Sequence, residues 1–302
     1  MAINRAQIKK QLQEGLNAVF GLEYKQHPEA WRDIFTVSKE SRKAYVEDVL
    51  MTGFGAAPVK QEGAGVQYDT ASEGYVSRYV FETIALAFAL TEEAGEDDLY
   101  GDLGSQMSKA LARSMQYTKN VKGANILNNG FTSGTGGDGV YLFSASHPLQ
   151  GGGTYSNLLS TAADLSETSL EDMLIVIGDA VDDRGLPISL SVKRLIIPTE
   201  LQFTAQRILK SDGRVDTADN DINALKSMNL IAGGWSKNVY LTDPDAWMLV
   251  TDAPDGLKYI ERKAISKGME GDFESGNMRY RSRERYCFGW SNPRGVYGAP
   301  GA

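Results

Sequence analysis

The chain has 302 residues, 42% of them hydrophobic and 23% charged, and its formal net charge is −8. This composition is typical of a folded globular protein of one or two domains, and it excludes disordered and membrane-embedded chains. The single cysteine excludes intramolecular disulfides and cysteine-rich metal sites, and two histidines, His27 and His147, leave most hydrolase and zinc-enzyme mechanisms without their usual groups.

The N-terminal residues predict an amphipathic helix and no targeting segment. Residues 1–10 are polar and lack the apolar core of a signal peptide, so we expect a soluble cytoplasmic protein. The apolar positions follow at helical spacing and share one face: Ile8, Leu12, Leu16 and Val19. Gly21 and His27-Pro28 are predicted to end this helix. We interpret residues 1–50 as an arm that packs on another part of the molecule.

Residues 59–90 have the pattern of a long hairpin. Its return half, from Tyr75 to Leu90, alternates in side-chain size and polarity, whereas the outgoing half, Gly63–Asp69, is glycine-rich and weaker. A strand of about 16 residues would be about 50 Å long, far beyond the usual strand length. We therefore expect part of the hairpin to leave the body of the protein and to need a partner that covers it.

The strongest helix prediction covers residues 99–128. Five carboxylates lie just before it, within residues 92–98, and the helix macrodipole favours acids at this end. The apolar stripe keeps a stride of four: Leu99, Leu103, Met107, Leu111 and Met115. About 30 residues form a rod of about 45 Å, on which other elements are expected to pack.

The middle of the chain alternates loops with shorter elements. Eight glycines between residues 130 and 153 predict a long loop, with Val140–Phe143 as a strand-like run inside it. The predicted helices are Leu170–Val181, capped by Thr168 or Ser169, and Thr199–Leu209, capped by Thr199. The predicted strands are Leu195–Pro198, Val239–Leu241 and Trp247–Val250.

The last predicted hairpin carries arginines. Its strands are Leu257–Lys263 and Asn277–Phe288, and strand geometry places four side chains on one face: Arg279, Arg281, Arg283 and Arg285. One reading is a nucleic-acid-binding stripe, and the other is ion pairing with acids of neighbouring strands or subunits. The net charge of −8 opposes binding of a polyanion, so we favour ion pairing at an interface.

Three motifs that carry chemistry in other proteins are better explained as loops. Gly134–Gly139 matches G-x-G-x-x-G, but a helix precedes it, whereas nucleotide binding needs a strand before the glycines and a helix after them. Asp219–Asn223 resembles the start of a calcium loop that lacks its later glycine and glutamate. Ser144–His147 contains no nucleophile elbow, and His147-Pro148 predicts a turn. The sequence therefore predicts no catalytic, cofactor-binding or metal-binding residue.

The order of several phrases resembles the major capsid protein of tailed bacteriophages, which has the Hong Kong 97-type shell fold. These phrases extend over most of the chain: Asp48–Gly55, Glu82–Gly101, Thr118–Asn128, Ser146–Leu149 and Gly289–Gly295. None of them is a chemical motif, and it is their order that makes the resemblance specific.

The resemblance implies an α+β fold with five segments. They are an N-terminal arm (1–50), an extended E-loop hairpin with its return strand (51–90), a peripheral domain with a long spine helix and a glycine-rich loop (91–164), an axial domain (165–256), and the long hairpin of the peripheral domain with a C-terminal tail (257–302).

The resemblance also implies a structural protein, without enzymatic activity or cofactors, that assembles as pentamers and hexamers into an icosahedral or prolate head enclosing double-stranded DNA. Such a head is assembled in the host bacterial cytoplasm with a separate scaffolding protein, a portal and a decoration protein, and without membrane or sequence-specific DNA binding. We predict subunit contacts through charged and aromatic residues of the E-loop and of the arginine face: Lys60, Glu62, Tyr68, Arg78, Arg279, Arg281, Arg283 and Arg285.

Two alternatives stay open at this point. An encapsulin-like nanocompartment shell has the same fold and holds cargo protein instead of DNA. A nucleotide-binding enzyme would use Gly134–Gly139 instead. Some relatives of phage capsid proteins crosslink their subunits through a lysine and an asparagine; Lys60 lies near the base of the proposed E-loop, but no asparagine matches the partner, so we do not expect this crosslink.

Overall fold

A computed structural model describes residues 5–38, 43–91, 100–213, 222–271 and 277–302. The helices are α1 (Arg5–Gln26), α2 (Tyr100–Asn128), α3 (Glu167–Gly178), α4 (Gln202–Lys210) and α5 (Ala224–Met228). The strands are β1 (Thr36–Ser38), β2 (Tyr45–Met51), β3 (Glu73–Val80), β4 (Glu82–Leu90), β5 (His147–Pro148), β6 (Thr154–Tyr155), β7 (Val192–Ile197), β8 (Trp235–Lys237), β9 (Trp247–Thr251), β10 (Leu257–Gly271), β11 (Met278–Trp290) and β12 (Val296–Ala299). Within these ranges, none of the helices combines the length and apolar character that a membrane span requires.

The first lobe is a four-stranded sheet in the order β1-β10-β11-β4. Strands β10 and β11 form the predicted C-terminal hairpin, and both extend beyond their predicted ends, to Gly271 and Trp290. Strand β4 pairs antiparallel with β11, and β1 pairs parallel with β10. Side chains of β11 alternate as predicted: Tyr280, Ser282 and Glu284 are buried, whereas the arginines between them face outwards.

The predicted spine is helix α2, whose 29 residues correspond to a rod of about 45 Å. The five carboxylates expected before it lie outside the described residues. Its buried face packs on β11 and on α1 through a cluster that contains Leu16, Phe20, Leu111 and Met115. Helix α1 continues through Gly21, so the predicted break there was wrong, but it ends at Gln26, directly before His27-Pro28, as predicted. Packing on the spine outweighs the cost of glycine in a helix, about 1 kcal/mol.

The second lobe is a sheet in the order β12-β9-β7-β8, with α3 and α4 packed on it. Strands were predicted correctly at 195–197 and 247–250, but residues 239–241 form a turn. Asn238 explains this turn because its side chain accepts a hydrogen bond from the Tyr240 amide. Helix α3 begins after Ser166, which forms a capping box with Ser169, and α4 begins at Gln202 without a capping side chain.

A shared core joins the two lobes. One cluster of buried residues includes Trp31 from the arm, Met248 from β9 and Tyr259 and Tyr286 from the first sheet. The C-terminal strand β12 pairs with β9, so the tail that was predicted with the peripheral domain adds a strand to the other sheet. The lobes are therefore built from interleaved segments of the chain.

The predicted hairpin of residues 59–90 was wrong in its pairing. Strand β3 pairs with β2, which the sequence placed in the arm, and residues 52–72 connect these two strands without forming a strand. The return half is two strands in different sheets, β3 and β4, separated at Phe81. Phe81 packs on Ile260 and Cys287, where the chain crosses from one sheet to the other.

Two predictions in the glycine-rich region were also wrong. Val140–Phe143 forms no strand, although Leu142 and Phe143 are buried. His147-Pro148 is not a turn but the short strand β5, which pairs with β6, and the turn lies between them. The buried contacts of His147 described below favour the extended backbone.

Candidate assembly surfaces

The connection between β2 and β3 projects apolar side chains into solvent. We call residues 52–72 the E-loop. Tyr68 is 93% exposed and Val59 is 94% exposed, and Phe54 and Val66 are exposed as well. Neighbouring exposed apolar side chains indicate a surface that binds another protein. Lys60 and Glu62, which were predicted as contact residues with Tyr68, lie in this exposed segment.

The base of the E-loop is fixed to the second lobe. Arg184 Nη2 lies 2.8 Å from both carboxylate oxygens of Asp69, and the Gly55 amide donates a hydrogen bond to the same carboxylate. These hydrogen bonds, from Gly55 first and then from Arg184, lower the pKa of Asp69. At the β2 end, the Thr52 hydroxyl donates to the Ser72 carbonyl. Residues 56–68 therefore extend from a defined base.

Arg78 has partners in its own chain. Its guanidinium lies 4.0 Å from the centroid of the Tyr45 ring, and its Nε lies 3.8 Å from Glu47 Oε1. The side chain is nevertheless exposed, so a role of Arg78 at a subunit contact stays a prediction.

The predicted arginines lie on the open face of the first sheet. We call Arg279, Arg281, Arg283 and Arg285 the arginine row. Two of them have small cross-strand neighbours on both sides: Arg281 lies between Ala87 and Gly268, and Arg283 lies between Ala85 and Ser266. Arg279 lies between Ala89 and Glu270, and Arg285 lies between Thr83 and Lys263. Among the described residues, the side chains of Arg281 and Arg283 have no ion-pair or hydrogen-bond partner. Arg285 is less exposed, and its buried Nε has no acceptor in the described part of the chain.

A second charged surface was not predicted from the sequence. A cleft with a volume of about 850 Å³ lies between β2 on one side and three connecting segments on the other, within residues 182–190, 252–255 and 291–294. Six carboxylates line it: Glu47, Asp48, Asp182, Asp183, Asp252 and Asp255. Arg294 is the cation in its lining, and Lys258 lies beside it, bound to Asp48 and Asp255. We call this cleft the acidic groove. Its acids come from three separate segments, which only the fold brings together.

A buried ion pair connects the arm, the spine and the first sheet. Lys119 Nζ lies 3.1 Å from Glu284 Oε2 and 3.2 Å from the Tyr24 hydroxyl. Aromatic rings surround the ammonium group at 5.0–5.9 Å: Tyr24, Trp31, Tyr259 and Tyr286. Burial raises the pKa of Glu284, and the charge of Lys119 partly offsets this rise. The pair was not predicted, because its members are 165 residues apart.

The glycines of the G-x-G-x-x-G match have roles in the fold of this chain. Gly134 and Gly139 have positive φ angles of 82° and 78°, which favour glycine. Gly136 lies against the Trp290 ring, and a Cβ on Gly137 would be 2.6 Å from the Val76 carbonyl oxygen. No helix follows within residues 137–163, so the arrangement that binds a dinucleotide is not formed.

The remaining motifs also have structural explanations. His147 is buried, with Nδ1 2.6 Å from Asp138 Oδ2 and Nε2 3.2 Å from the Leu142 carbonyl oxygen, so neither nitrogen faces a serine hydroxyl. The calcium-like segment falls mainly outside the described residues, and its Asn223 caps α5. In the described ranges, no group of three histidine, cysteine or acidic side chains has the arrangement of a metal site.

Replacing Gly136 by alanine should lower the free energy of unfolding by about 1–3 kcal/mol, because the added methyl group overlaps the Trp290 ring. Urea denaturation of the subunit measures this change. Gly178, at the end of α3, serves as the control, because a methyl group added there would have no neighbouring atom within 4 Å, and its alanine variant should not be destabilised. Equal effects of the two substitutions would contradict the packing role of Gly136.

Comparisons with known proteins agree with this architecture. A family model described as phage capsid protein matches residues 74–299, and a search of curated protein sequences finds no match. A virus-like particle from Pyrococcus furiosus is similar in structure, with a TM-score of 0.57 and 10% identity over 95% of this chain and 98% of that chain. The bacteriophage JBD30 procapsid is similar as well, with a TM-score of 0.56 and 16% identity over 98% of this chain and 76% of that chain.

The capsid of a native GTA particle gives a TM-score of 0.57 and 12% identity, covering 90% of each chain. At such identities these structures establish the fold, and the family model, which spans most of the chain, establishes the family. The chain therefore belongs to the phage capsid protein family and is a structural major capsid protein with the Hong Kong 97-type fold.

Proposed function

We propose that this chain forms pentamers and hexamers that close into an icosahedral or prolate head around double-stranded DNA. The observation that carries the proposal is the E-loop, whose exposed apolar residues extend from a fixed base and are not covered by the described residues of their own subunit. Many weak contacts per subunit suffice to hold such a shell, because each bound contact raises the effective concentration of the others. The net charge of −8 allows the wall to enclose DNA without binding it tightly.

Negative-stain electron microscopy of the purified protein over a series of concentrations tests this proposal. The expected particles are closed shells, hexamer plates or tubes above a threshold concentration. A protein that stays monomeric at every concentration and binds a nucleotide would contradict it and would favour the enzyme alternative.

An encapsulin-like shell is the second candidate, because the structural similarity to a virus-like particle from Pyrococcus furiosus indicates that this fold also builds particles that are not described as phage capsids. The two candidates differ in what the particle contains. Particles isolated from the native source should carry nuclease-protected DNA if the chain forms a phage head. Particles that contain one co-purifying cargo protein and no protected DNA would support the second candidate.

We also propose that assembly takes place in the bacterial cytoplasm with a separate scaffolding protein, a portal and a decoration protein, and that the subunit has no catalytic role. The support is indirect: the family and the shell fold are those of structural proteins. Mass spectrometry of purified procapsids would identify these partners directly, and procapsids that contain this chain alone would contradict the scaffold proposal.

A further inference from the structure

We propose that the arginine row of one subunit binds in the acidic groove of a second copy, so that the two surfaces form a head-to-tail contact in the shell. This inference rests on the proposed assembly and names the surfaces that meet in it. The arginine row supplies donors, and the groove supplies carboxylate acceptors.

The arginine row has unused binding capacity. Arg281 and Arg283 are exposed and have no ionic partner among the described residues. Their cross-strand neighbours are alanine, serine and glycine, so the guanidinium groups stand above a shallow surface and are open to another molecule. Guanidinium groups bind carboxylates through paired hydrogen bonds, which makes arginine suited to charged interfaces.

The acidic groove has an excess of negative charge that complements the arginine row. Six carboxylates line it or its rim, whereas three cations lie in or beside it: Arg294, Lys258 and Arg78. Three of the acids are exposed residues: Glu47, Asp252 and Asp255. The side chain of Glu47 is 43% exposed beside Arg78, and that of Asp255 is 67% exposed beside Lys258, so both can accept further hydrogen bonds. Strand β2, which forms one wall, pairs only with β3 among the described strands, so its other edge presents backbone carbonyl groups as further acceptors.

The two surfaces are too far apart to meet within one subunit. Ser291, which lines the groove, follows β11 directly, and Arg283 lies eight residues earlier in the chain. At about 3.3 Å per residue, this separation is about 26 Å along the strand, which exceeds the reach of an arginine side chain. A contact between two different surfaces of identical subunits is heterologous, and its repetition closes into a ring when the rotation allows. Pentamers and hexamers are rings of this kind.

Charge also explains why this pairing is favoured over contact between like surfaces. Subunits with a net charge of −8 repel one another, so association needs local patches of opposite sign. Complementary patches select the orientation in which the subunits meet and exclude others. A basic segment of a scaffolding or decoration protein is the other possible occupant of the groove, and the experiment below separates it from a second copy.

Charge reversal on each surface tests the pairing. The first variant carries Arg281→Glu and Arg283→Glu, and the second carries Glu47→Lys and Asp255→Lys. Each variant alone should need at least about tenfold more protein to assemble than the wild type. An equimolar mixture should assemble again, because every contact in an alternating ring then joins opposite charges. Alternation requires an even number of subunits, so the mixture should give hexamer plates or tubes.

Controls separate charge from folding. Arg281→Lys with Arg283→Lys keeps the charge and should assemble close to the wild-type concentration, and circular dichroism should show that both reversed variants fold. If either reversed variant is unfolded, the neutral variants R281Q/R283Q and E47Q/D255N replace them. The assembly concentration of both neutral variants should then depend less on salt than that of the wild type, and by the same amount.

Three results would overturn the pairing. In the first, the groove variant assembles at the wild-type concentration. In the second, the mixture of folded variants stays unassembled while the wild type assembles. In the third, the two neutral variants change the salt dependence of assembly by different amounts. The first result would indicate that a scaffolding or decoration protein, and not a second copy of the chain, binds in the groove. Failure of the wild type itself to assemble would instead contradict the proposed function.

Discussion

Replacing Lys119 by methionine is expected to lower the free energy of unfolding of the subunit by about 3–5 kcal/mol. Methionine fills a similar volume but leaves the Glu284 carboxylate buried without its ionic partner. Both side chains are almost fully buried, at 5% and 2% exposure, so water cannot replace the lost interaction. Urea denaturation below the assembly concentration measures the change.

The double variant Lys119→Met with Glu284→Leu is the matched control. Removing both charges should recover at least about 2 kcal/mol of this loss, because no buried charge is then left alone. Additive losses from the two substitutions would contradict coupling between Lys119 and Glu284.

The loss in the Lys119 variant should also depend on pH. Burial raises the pKa of Glu284 above its ordinary value, and without Lys119 only the hydrogen bond from the Tyr24 hydroxyl still opposes that rise. A carboxyl group whose pKa is higher in the folded state stabilises the fold most at acid pH, and this contribution is lost as the pH rises. The free energy of unfolding of the variant should therefore be closest to that of the wild type near pH 4 and should fall furthest below it at neutral pH. A pH-independent difference in urea midpoint would contradict this explanation.

Shortening the E-loop is expected to abolish shell assembly and to leave the subunit folded. The segment to delete is 57–66, which ends well before β3 begins at Glu73. This segment is exposed throughout and forms no strand, so its loss should change the free energy of unfolding by less than about 1 kcal/mol. Electron microscopy and urea denaturation report the two properties separately.

A milder variant controls for the geometry of the deletion. Val59→Ser with Tyr68→Ser removes the two most exposed apolar side chains of the E-loop and keeps its length. Because both are more than 90% exposed, the monomer should keep its stability, and assembly should need several-fold more protein. Shells that form at the wild-type concentration from either variant would contradict the role of the E-loop in assembly.

Local patterns predicted the elements whose signals are periodic and strong. The spine helix, the hairpin of β10 and β11 and the outward arginines followed from spacings of three or four and of two residues. These periodicities persist because one face of each element is buried, and burial is what the pattern records. Most of the glycine-rich region, apart from the short strand β5, was correctly predicted as a loop, since no periodic face exists there.

Pairing partners and helix ends were harder to predict from the sequence. Strand β3 pairs with β2, although residues 63–69, which were predicted as its partner, are closer to it in the chain. The pattern of β2 is weak because its exposed face carries apolar side chains, such as Val49 and Met51, and its half-buried face carries Asp48. The choice between two possible partners therefore depends on packing with the rest of the fold. The continuation of α1 through Gly21 was decided by contact with the spine.

By itself, the sequence determined that this protein is globular and acidic, with a long spine, an outreaching segment and a row of arginines on one strand face. Only the tertiary structure decided which groups meet. The acidic groove collects carboxylates from three segments, and the Lys119–Glu284 pair joins residues on a helix and a strand that are far apart in the chain. Charge and periodicity are properties of a segment, whereas a groove or a buried pair exists only after distant segments have packed together.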